Sequence, residues 1–508
     1  MKKRKKQNEK RTTITLFVIA TIAAFAITAT PPVHAEEITL LHEFTGGVED
    51  GGAPSGGSLT LNSGKLYGLT ETTAFSVETD GSNFNRLHRF DASTEGRLPY
   101  GSLVLSSETL YGTNPYYGPH GYGTVFSLGT DGSNFTVVHD FAGGTDDGRA
   151  PHDSLLLNAG KLYGTTQYGG AVDYGYGVIF SMETDGNNFS LVHTFAGGVN
   201  GCIPKGSLIL DSGKFYGTTQ YGGTSNMGTL FSVGIDGNDF NILHNFGWTA
   251  GGRLPSTTLI VDPVTQILYG MAGRGGSSNL GTIFSISTDG SNFTVLHDFA
   301  GGNDDGQSPN KYLILDSGKL YGMTSAGGDS NLGTVFSMGM DGSGFSLLHE
   351  FAGGGNDGST PMGSLTLDSG KLYGMTRNGG DFDYGTVFFI HSAPHILDQI
   401  GIGGNYFDRN YTVEQKDQLY DAYFAADQGD TFVLDGDDIT WSYLGNESPI
   451  WDGHEMGDAF WYEGKRYIML GSGLEGTGGA IPELPAGAIP FLGVILSFGF
   501  VRRKTRRA

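Results

Sequence analysis

The sequence predicts an all-β protein: a seven-bladed β-propeller of four-stranded repeats, closed by the N-terminal strand and followed by a small C-terminal module. Three observations lead to this prediction. A unit of about 52 residues recurs seven times, each unit carries four short strand patterns, and the repeats begin with a lone outer strand. Four antiparallel strands in a unit of this length correspond to one propeller blade.

The repeat is marked by a His-x-Phe motif in each unit. A Tyr-Gly pair, a strand resembling GTVF and one proline recur alongside it. The motif histidines are His42, His88, His139, His193, His244, His297 and His349, at steps of 46, 51, 54, 51, 53 and 52 residues. One histidine per blade cannot converge on a single metal ion, so we expect each to pack between blades and to hydrogen-bond a neighbouring backbone group.

The third unit shows the four strand patterns: FTVVHDF, DSLLLN, KLYGTT and YGVIFSM. Alternation within the first places Phe135, Val137, His139 and Phe141 on one face. The repeats start with the outer-strand pattern ITLLHEF and end with the third-strand pattern GTVFFI. The N-terminal strand can therefore complete the seventh blade, whereas an open solenoid would require capping units.

Composition and charge restrict the partners. The chain has 85 glycines, 12% aromatic residues and a formal charge of −23. Residues 1–35 hold seven Lys/Arg and one Glu, so their removal leaves 23 − 52 = −29. Nucleic acid and anionic membrane surfaces need clustered positive charge and are poor partners, whereas cations and neutral sugars fit better. Cys202 alone excludes a disulfide framework.

The N-terminus has the form of a secretory signal peptide over residues 1–35. A basic head precedes an apolar run from Ile14 to Ile27, and small residues end at Ala35, the expected cleavage position. A retained membrane anchor is the alternative. We expect the propeller over residues 36–394 and an appended α+β or β module over residues 395–480.

Residues 481–508 have the form of a C-terminal anchor. A Pro482-Glu483 turn precedes an apolar run over 486–501 and a basic end, which should stay cytoplasmic. The segment resembles the PEP-CTERM sorting tail, which exosortase recognises in Gram-negative bacteria that make extracellular polysaccharide. Leu484 stands where that family usually has a second proline, and a plain C-terminal membrane anchor is the alternative. The resemblance implies an exported protein at the cell surface, held at least transiently by the C-terminal helix.

The repeats themselves resemble the GloVer tandem repeat of bacterial exported proteins. The consensus GTVFS…DGSNFTVLHDFAGG…P…SL…GKLYGMT…GG carries the resemblance, which covers about residues 38–390. It implies a surface or secreted protein, and it brings no catalytic residues with it.

The acidic turns between units form one candidate site. Glycine-rich turns with carboxylates supply the oxygen ligands that Ca²⁺ requires, although the number of acids varies from unit to unit. The alternative is that these residues are solvated turn residues. The candidates are Asp146, Asp147, Asp304, Asp305 and Asp357, with Asp435 and Asp437 after the repeats.

The variable loops between the second and third strands of each blade form the other candidate site. Their aromatic residues lie beside Asp and Asn, a composition typical of sugar binding, since aromatic faces stack on sugar C–H groups. The alternative is that they cover loop ends. The residues are Tyr116, Tyr117, Tyr122, Tyr168, Tyr174, Tyr176, Phe382 and Tyr384.

Three functions follow, in this order. The first is a non-catalytic surface protein that binds extracellular polysaccharide or surface proteins. The second is a purely structural envelope or matrix component. The third is a propeller enzyme, a glycan hydrolase or lyase, which needs unit-specific residues at the channel; no catalytic motif or internal asymmetry of that kind stands out in the sequence. Aromatic residues gathered on one face would favour binding, and a charged cluster at the channel would favour catalysis.

Overall fold

The computed structural model describes residues 38–54, 56–170, 175–248, 251–255 and 257–392, and the backbone of four further strands between residues 431 and 470. The first part forms seven antiparallel sheets in chain order, arranged as a seven-bladed propeller. The predicted fold class is confirmed. Almost all regular structure is strand, with one 3₁₀ helix, Gly198–Asn200, in the described part.

Each blade runs from an inner strand to an outer strand, and in some blades the inner strand is split into two pieces. Blades one to three consist of β2 (Thr60–Asn62), β3 (Lys65–Leu69), β4 (Thr73–Glu78) and β5 (Asn85–Arg89); β6 (Val104–Ser106), β7 (Thr109–Asn114), β8 (Thr124–Gly129) and β9 (Thr136–Asp140); and β10 (Gly148–Pro151), β11 (Leu156–Asn158), β12 (Lys161–Gly169), β13 (Val178–Glu183) and β14 (Ser190–Thr194).

The remaining blades repeat the same order. Blades four to six consist of β15 (Cys202–Pro204), β16 (Ile209–Asp211), β17 (Lys214–Tyr221), β18 (Thr229–Gly234) and β19 (Asn241–Asn245); β20 (Ile260–Asp262), β21 (Ile267–Ala272), β22 (Thr282–Ser287) and β23 (Thr294–Asp298); and β24 (Gly306–Asp316), β25 (Lys319–Gly327), β26 (Thr334–Gly339) and β27 (Ser346–Glu350). Blade seven consists of β28 (Gly358–Pro361), β29 (Thr366–Asp368), β30 (Lys371–Gly379), β31 (Thr386–His391) and β1 (Thr39–Glu43).

The N-terminal strand closes the ring as the sequence predicts. β1 is the outer strand of blade seven and pairs antiparallel with β31, with Thr39 opposite Phe389 and Glu43 opposite Thr386. Its register shifts at the same point as in every other outer pair, for example between Leu230 and Phe231 in blade four. Closure leaves β31 paired on both sides, which protects an otherwise exposed sheet edge.

The core lies between adjacent blades. Seven hydrophobic clusters each combine residues of two neighbouring blades. The Tyr-Gly pair of the repeat is explained here, since a Cβ at Gly164 would lie 2.5 Å from Cζ of Phe180. Glycine is required because the buried phenylalanine of the facing strand packs directly onto its backbone.

The repeated histidines lie between blades, on the outer strands. His139 of blade two stacks on Phe189 of blade three, with ring centroids 4.2 Å apart. The same pair recurs at five other junctions, for example His42 with Phe84 at 3.6 Å. Each stack ties one blade's outer strand to the next blade.

After the propeller, four strands form a separate antiparallel sheet. They are β32 (Thr431–Val433), β33 (Thr440–Gly445), β34 (Ala459–Tyr462) and β35 (Lys465–Leu470), in the order β32-β33-β35-β34. The rest of the module expected over residues 395–480 lies outside the described residues.

Candidate functional site

One face of the propeller carries the variable loops together with the acidic turns considered above as calcium candidates. Because the strands alternate in direction within each blade, the loops between second and third strands emerge on the same side as the connections from each outer strand to the next inner strand. We call this side the loop face. The short turns after the inner strands and before the outer strands lie on the opposite face.

The exposed aromatic residues gather on the loop face. Every large aromatic side chain that is exposed within the described propeller belongs to one of its two kinds of loop or to the strand end next to it: Tyr116, Tyr117, Tyr122, Tyr176, Tyr221, Trp248, Phe382 and Tyr384. Of the residues predicted from the sequence, Tyr168 is half-buried and Tyr174 lies outside the described residues. Sequence reasoning missed Tyr221 and Trp248, although Trp248 is the one tryptophan within the repeats.

Three of these tyrosines have a structural contact on one side. Tyr384 covers Gly46, where an added Cβ would lie 2.5 Å from its ring. Tyr122 and Tyr176 cover the equivalent glycines of other blades, and Leu280 covers Gly301 at the same position of blade five. One surface of each ring therefore shields a glycine turn, as the alternative interpretation expects, and the remaining surface faces solvent.

A continuous aromatic patch lies over blades two and three. The guanidinium of Arg149 is 5.4 Å from the ring centroid of Tyr122 and 5.0 Å from that of Tyr168. Tyr116 contacts Tyr100 edge to face, with ring centroids 6.4 Å apart. Burial raises the pKa of the Tyr116 hydroxyl, and Tyr100 and Tyr168 raise it further. We call this set the tyrosine patch: Tyr100, Tyr116, Tyr117, Tyr122, Arg149 and Tyr168.

The tyrosine patch leads to the propeller axis. Tyr100 follows the repeat proline of blade two and stacks on His152 at 4.8 Å. His152 holds the same strand position in blade three, and Lys205 holds it in blade four. The corresponding residues of blades six and seven are Asn310 and Met362. Each of these five blades thus has a different residue at this position.

Hydrogen bonds link neighbouring inner strands. They run around the axis from Ser58 N to Ser102 Oγ (2.8 Å), Ser102 N to Ser154 Oγ (2.7 Å), Ser207 N to Thr258 Oγ1 (2.7 Å), Tyr312 N to Ser364 Oγ (2.7 Å) and Ser364 N to Ser58 Oγ (3.1 Å). The hydroxyl of Tyr312 bridges the gap between blades three and four, 3.0 Å from Ser154 Oγ and 3.1 Å from Ser207 Oγ.

A charged cluster occupies the axis. The Tyr312 hydroxyl donates to Oδ1 of Asp153, and burial, followed by the Asp153 charge, raises the pKa of Tyr312. Lys311 Nζ lies 3.4 Å from the same carboxylate and donates to Tyr100 O at 3.3 Å. The Asp153 side chain has no exposed surface. Asymmetry between the repeats is therefore present, contrary to our expectation from the sequence.

A pocket opens on the loop face between blades four and five, lined by Ser225, His244, Asn245, Trp248 and Phe293. Trp248 is 70% exposed, and the Arg253 guanidinium lies 4.5 Å from its ring centroid. Arg253 is held in turn by Asn279 Oδ1 at 2.7 Å. Arg253 thus covers one face of the Trp248 ring, and the other face is exposed to solvent.

Two segments of the chain, residues 70–272 and 264–420, match the model of the Gloeobacter/Verrucomicrobia repeat. The chain belongs to this repeat family. No curated protein matches the chain.

Solved structures share low similarity with this member of the repeat family. The nidogen/laminin complex matches at 14% identity and TM-score 0.37, covering 56% of this chain and 93% of that one. The tricorn protease matches at 10% identity and TM-score 0.35, covering 65% of this chain and 31% of that one. The extracellular domain of a putative hybrid two-component system from B. thetaiotaomicron matches at 12% identity and TM-score 0.48, covering 70% of this chain and 39% of that one.

Carboxylates in the acidic turns of the Gloeobacter/Verrucomicrobia repeat are hydrogen-bonded to three of its histidines, His139, His297 and His349. Asp305 Oδ1 lies 3.0 Å from His297 Nε2, and its Oδ2 accepts from Ala300 N at 2.7 Å. Asp147 and Asp357 hold their histidines in the same way. The partner of these histidines is therefore a carboxylate rather than the backbone group we expected.

Calcium ligands do not come together in the described part of the repeats. The carboxylates of Asp147, Asp305 and Asp357 are already occupied by protein donors, and Asp146 and Asp304 are exposed turn residues. Across the described ranges, no three His, Cys, Asp or Glu side chains are placed to hold a metal ion. Asp435 and Asp437 lie outside the described residues.

The terminal segments predicted from the sequence also lie outside the described residues. These are the signal peptide with Ala35, and the sorting segment with Pro482 and Glu483. Among the residues that are described, no helix is long and apolar enough to cross a bilayer.

Proposed function

We propose that this repeat protein binds extracellular polysaccharide through its loop face. The observation that supports the proposal is the gathering of exposed aromatic side chains on that one face. Aromatic rings with amide, hydroxyl and guanidinium groups beside them suit sugars, because a sugar ring offers both C–H surfaces and hydroxyls. The opposite face carries Val264 as its one exposed large apolar residue in the described propeller.

Two regions of the loop face supply the contacts. The tyrosine patch offers rings on both sides of Arg149, with Tyr117 exposed at its edge. The Trp248 pocket offers one ring face above the polar groups of Ser225, His244 and Asn245. Several weak subsites on one surface suit a repeating polymer, since linked contacts raise its overall affinity.

Calorimetry of the full-length chain, kept in mild detergent, against the polysaccharide of the producing organism tests the proposal. We expect saturable heat, reduced roughly fivefold in affinity by Trp248→Ala, which corresponds to about 1 kcal/mol for one aromatic contact. Val264→Ala on the opposite face is the matched control and should bind as the parent does. An EDTA arm tests for calcium in the binding.

Absence of heat from a folded protein would reject polysaccharide binding. A surface-protein partner or a purely structural role in the envelope or matrix would then remain. Equal loss of binding in the Trp248 and Val264 variants would also contradict the proposal, because it would show that the loop face contributes no more to polysaccharide binding than the opposite face does.

We further propose that the protein is exported, cleaved after Ala35 and held at the cell surface by residues 481–508. The basic head and apolar run at the start of the chain, and the Pro482-Glu483 turn with its apolar and basic segments at the end, support this. An exosortase-type enzyme is the proposed processing partner, and the C-terminal helix is the proposed membrane contact.

A propeller lyase is the second candidate, because the axis does carry unit-specific groups. Burial lowers the pKa of His152 well below its usual value, with Lys311 and Lys205 adding to the effect, so His152 is neutral at pH 7. A neutral imidazole is a base, and lysines stabilise the charge that develops beside a carboxylate. Retaining hydrolysis needs two accessible carboxylates, whereas Asp153 is enclosed. Release of unsaturated sugar products would establish the lyase, and polysaccharide of unchanged length would reject it.

A further inference from the structure

Lys205 is a half-buried lysine close to the axis, at the end of the tyrosine patch. It follows Pro204 in blade four, the position that Tyr100 and His152 hold in blades two and three. Among the described residues its ammonium group has no carboxylate partner, whereas Lys311 has Asp153. A desolvated charge without a counterion is costly.

A second ammonium group, that of Lys311, lies beside this position, 3.3 Å from Tyr100 O. Burial, followed by the charge of Lys311, lowers the pKa of Lys205. Burial, followed by the charges of Lys311 and Lys205, lowers the pKa of the neighbouring His152. With His152 neutral, two lysines and one carboxylate leave one positive charge, in a protein whose formal charge is −23.

The surroundings set the size and charge of a fitting anion. Tyr312 of blade six crosses the axis to Ser154 and Ser207 of blades three and four, so a ligand that enters from the loop face meets this bridge. A single positive charge matches a monovalent carboxylate better than a divalent phosphate. Tyr100, stacked on His152, places an aromatic ring next to the charge, which suits a sugar ring attached to that carboxylate.

We propose that the axial mouth of the loop face binds the carboxylate of a uronic acid unit, with Lys205 as its ion-pair partner. This inference rests on the proposed polysaccharide binding and names the chemical class of the ligand. The sugar ring of the uronate lies toward Tyr100, and the rest of the glycan continues over the tyrosine patch. Lys311 is held by Asp153 and adds long-range attraction.

The test compares two small probes that differ in charge, methyl glucuronide and methyl glucoside, by calorimetry on the full-length chain. We expect at least tenfold tighter binding of the glucuronide. Lys205→Met removes the ammonium but keeps an apolar stem, and methionine already stands at this position in blade seven. It should bring the two probes to equal affinity.

Lys161→Met is the matched control, since it removes one positive charge from the opposite face, where Lys161 lies 3.8 Å from Glu183. It should keep the preference for the glucuronide. A single cooperative thermal unfolding transition shows that each variant is folded. Added glucuronide should raise the melting temperature of the parent and of Lys161→Met, and not of Lys205→Met.

Three results separate this inference from the proposed function. If polysaccharide binds but the two probes bind equally, the uronate site is rejected and polysaccharide binding stands. If Lys205→Met keeps the preference for glucuronide, Lys205 is not the partner and the inference is rejected. If neither polysaccharide nor probe binds, both the proposed function and this inference fail.

Discussion

Asp304 and Asp305 are adjacent in one turn and have different surroundings. Asp305 is buried and receives hydrogen bonds from His297 and from the amide of Ala300, whereas Asp304 is exposed. The sequence motif GGNDDG shows two acids but does not show which one turns inward. That depends on the position of the histidine on the neighbouring strand, which only the folded blade supplies.

Asp305→Ala should destabilise the protein, because it leaves His297 and the Ala300 amide without their partner. We expect a loss of about 1–3 kcal/mol in the free energy of unfolding, measured by chemical denaturation. Asp304→Ala is the matched control and should change stability by less than about 0.5 kcal/mol. Equal effects of the two substitutions would show that the buried hydrogen bonds do not stabilise the blade junction.

His152 should make stability depend on pH. Its pKa is lowered in the folded state, so the unfolded chain binds a proton more readily, and stability falls as pH drops through the usual histidine value. Relative to His152→Gln, the parent should lose up to about 1.4 kcal/mol more per pH unit below pH 6.5. Denaturation series at pH 7.5, 6.5 and 5.5 measure the difference, and parallel curves would contradict it.

Lys205→Met should raise the melting temperature at neutral pH. Burial lowers the pKa of Lys205, so its charged form is less favourable in the folded state, and that penalty applies wherever the lysine is protonated. Above the ordinary lysine pKa the advantage of the variant should vanish. Thermal unfolding at pH 7 and pH 11 checks the sign, and a stability loss at pH 7 would indicate a structural role for the ammonium group.

At the level of the strand, the repeat markers describe packing rather than chemistry. Gly164 and Phe180 are opposite one another on β12 and β13, and the same glycine–phenylalanine pair recurs in each blade. Gly164→Ala should cost about 1–3 kcal/mol through overpacking, measured as a shift in the denaturation midpoint. Gly47→Ala is the control, because its added Cβ would lie 3.4 Å from the nearest atom, Oγ1 of Thr45, which is an ordinary van der Waals contact. A stable Gly164→Ala protein would show that Phe180 can shift without cost.

The strands were predictable from the sequence, while the axial cluster was not. Alternation and turn residues are local signals, and seven copies of them specify four strands per blade. Lys311 and Asp153 are 158 residues apart, from 311 − 153, and meet because inner strands of different blades converge at the axis. Aligning the units on their prolines shows that Tyr100, His152 and Lys205 occupy the same repeat position. This variation at one position is the signal that could have revealed the site.

At the level of the whole molecule, closure depends on a single short strand. Deleting residues 38–44 should leave β31 with an unpaired edge and remove Leu41 and Phe44 from the junction of blades seven and one. We expect a lower melting temperature and association through the exposed edge, visible as larger species in size-exclusion chromatography. A monomer of unchanged stability would show that closure does not require β1.

That strand also sets when the protein can be finished. β1 is among the first parts of the propeller to be made, and its partner β31 begins 386 − 43 = 343 residues after β1 ends. At synthesis rates of about 5–20 residues per second, β1 waits roughly 17–70 s for its partner. Throughout that time the ring is incomplete, so this architecture ties the final folding step to the end of translation, and a chain truncated before β31 has no closed form to reach.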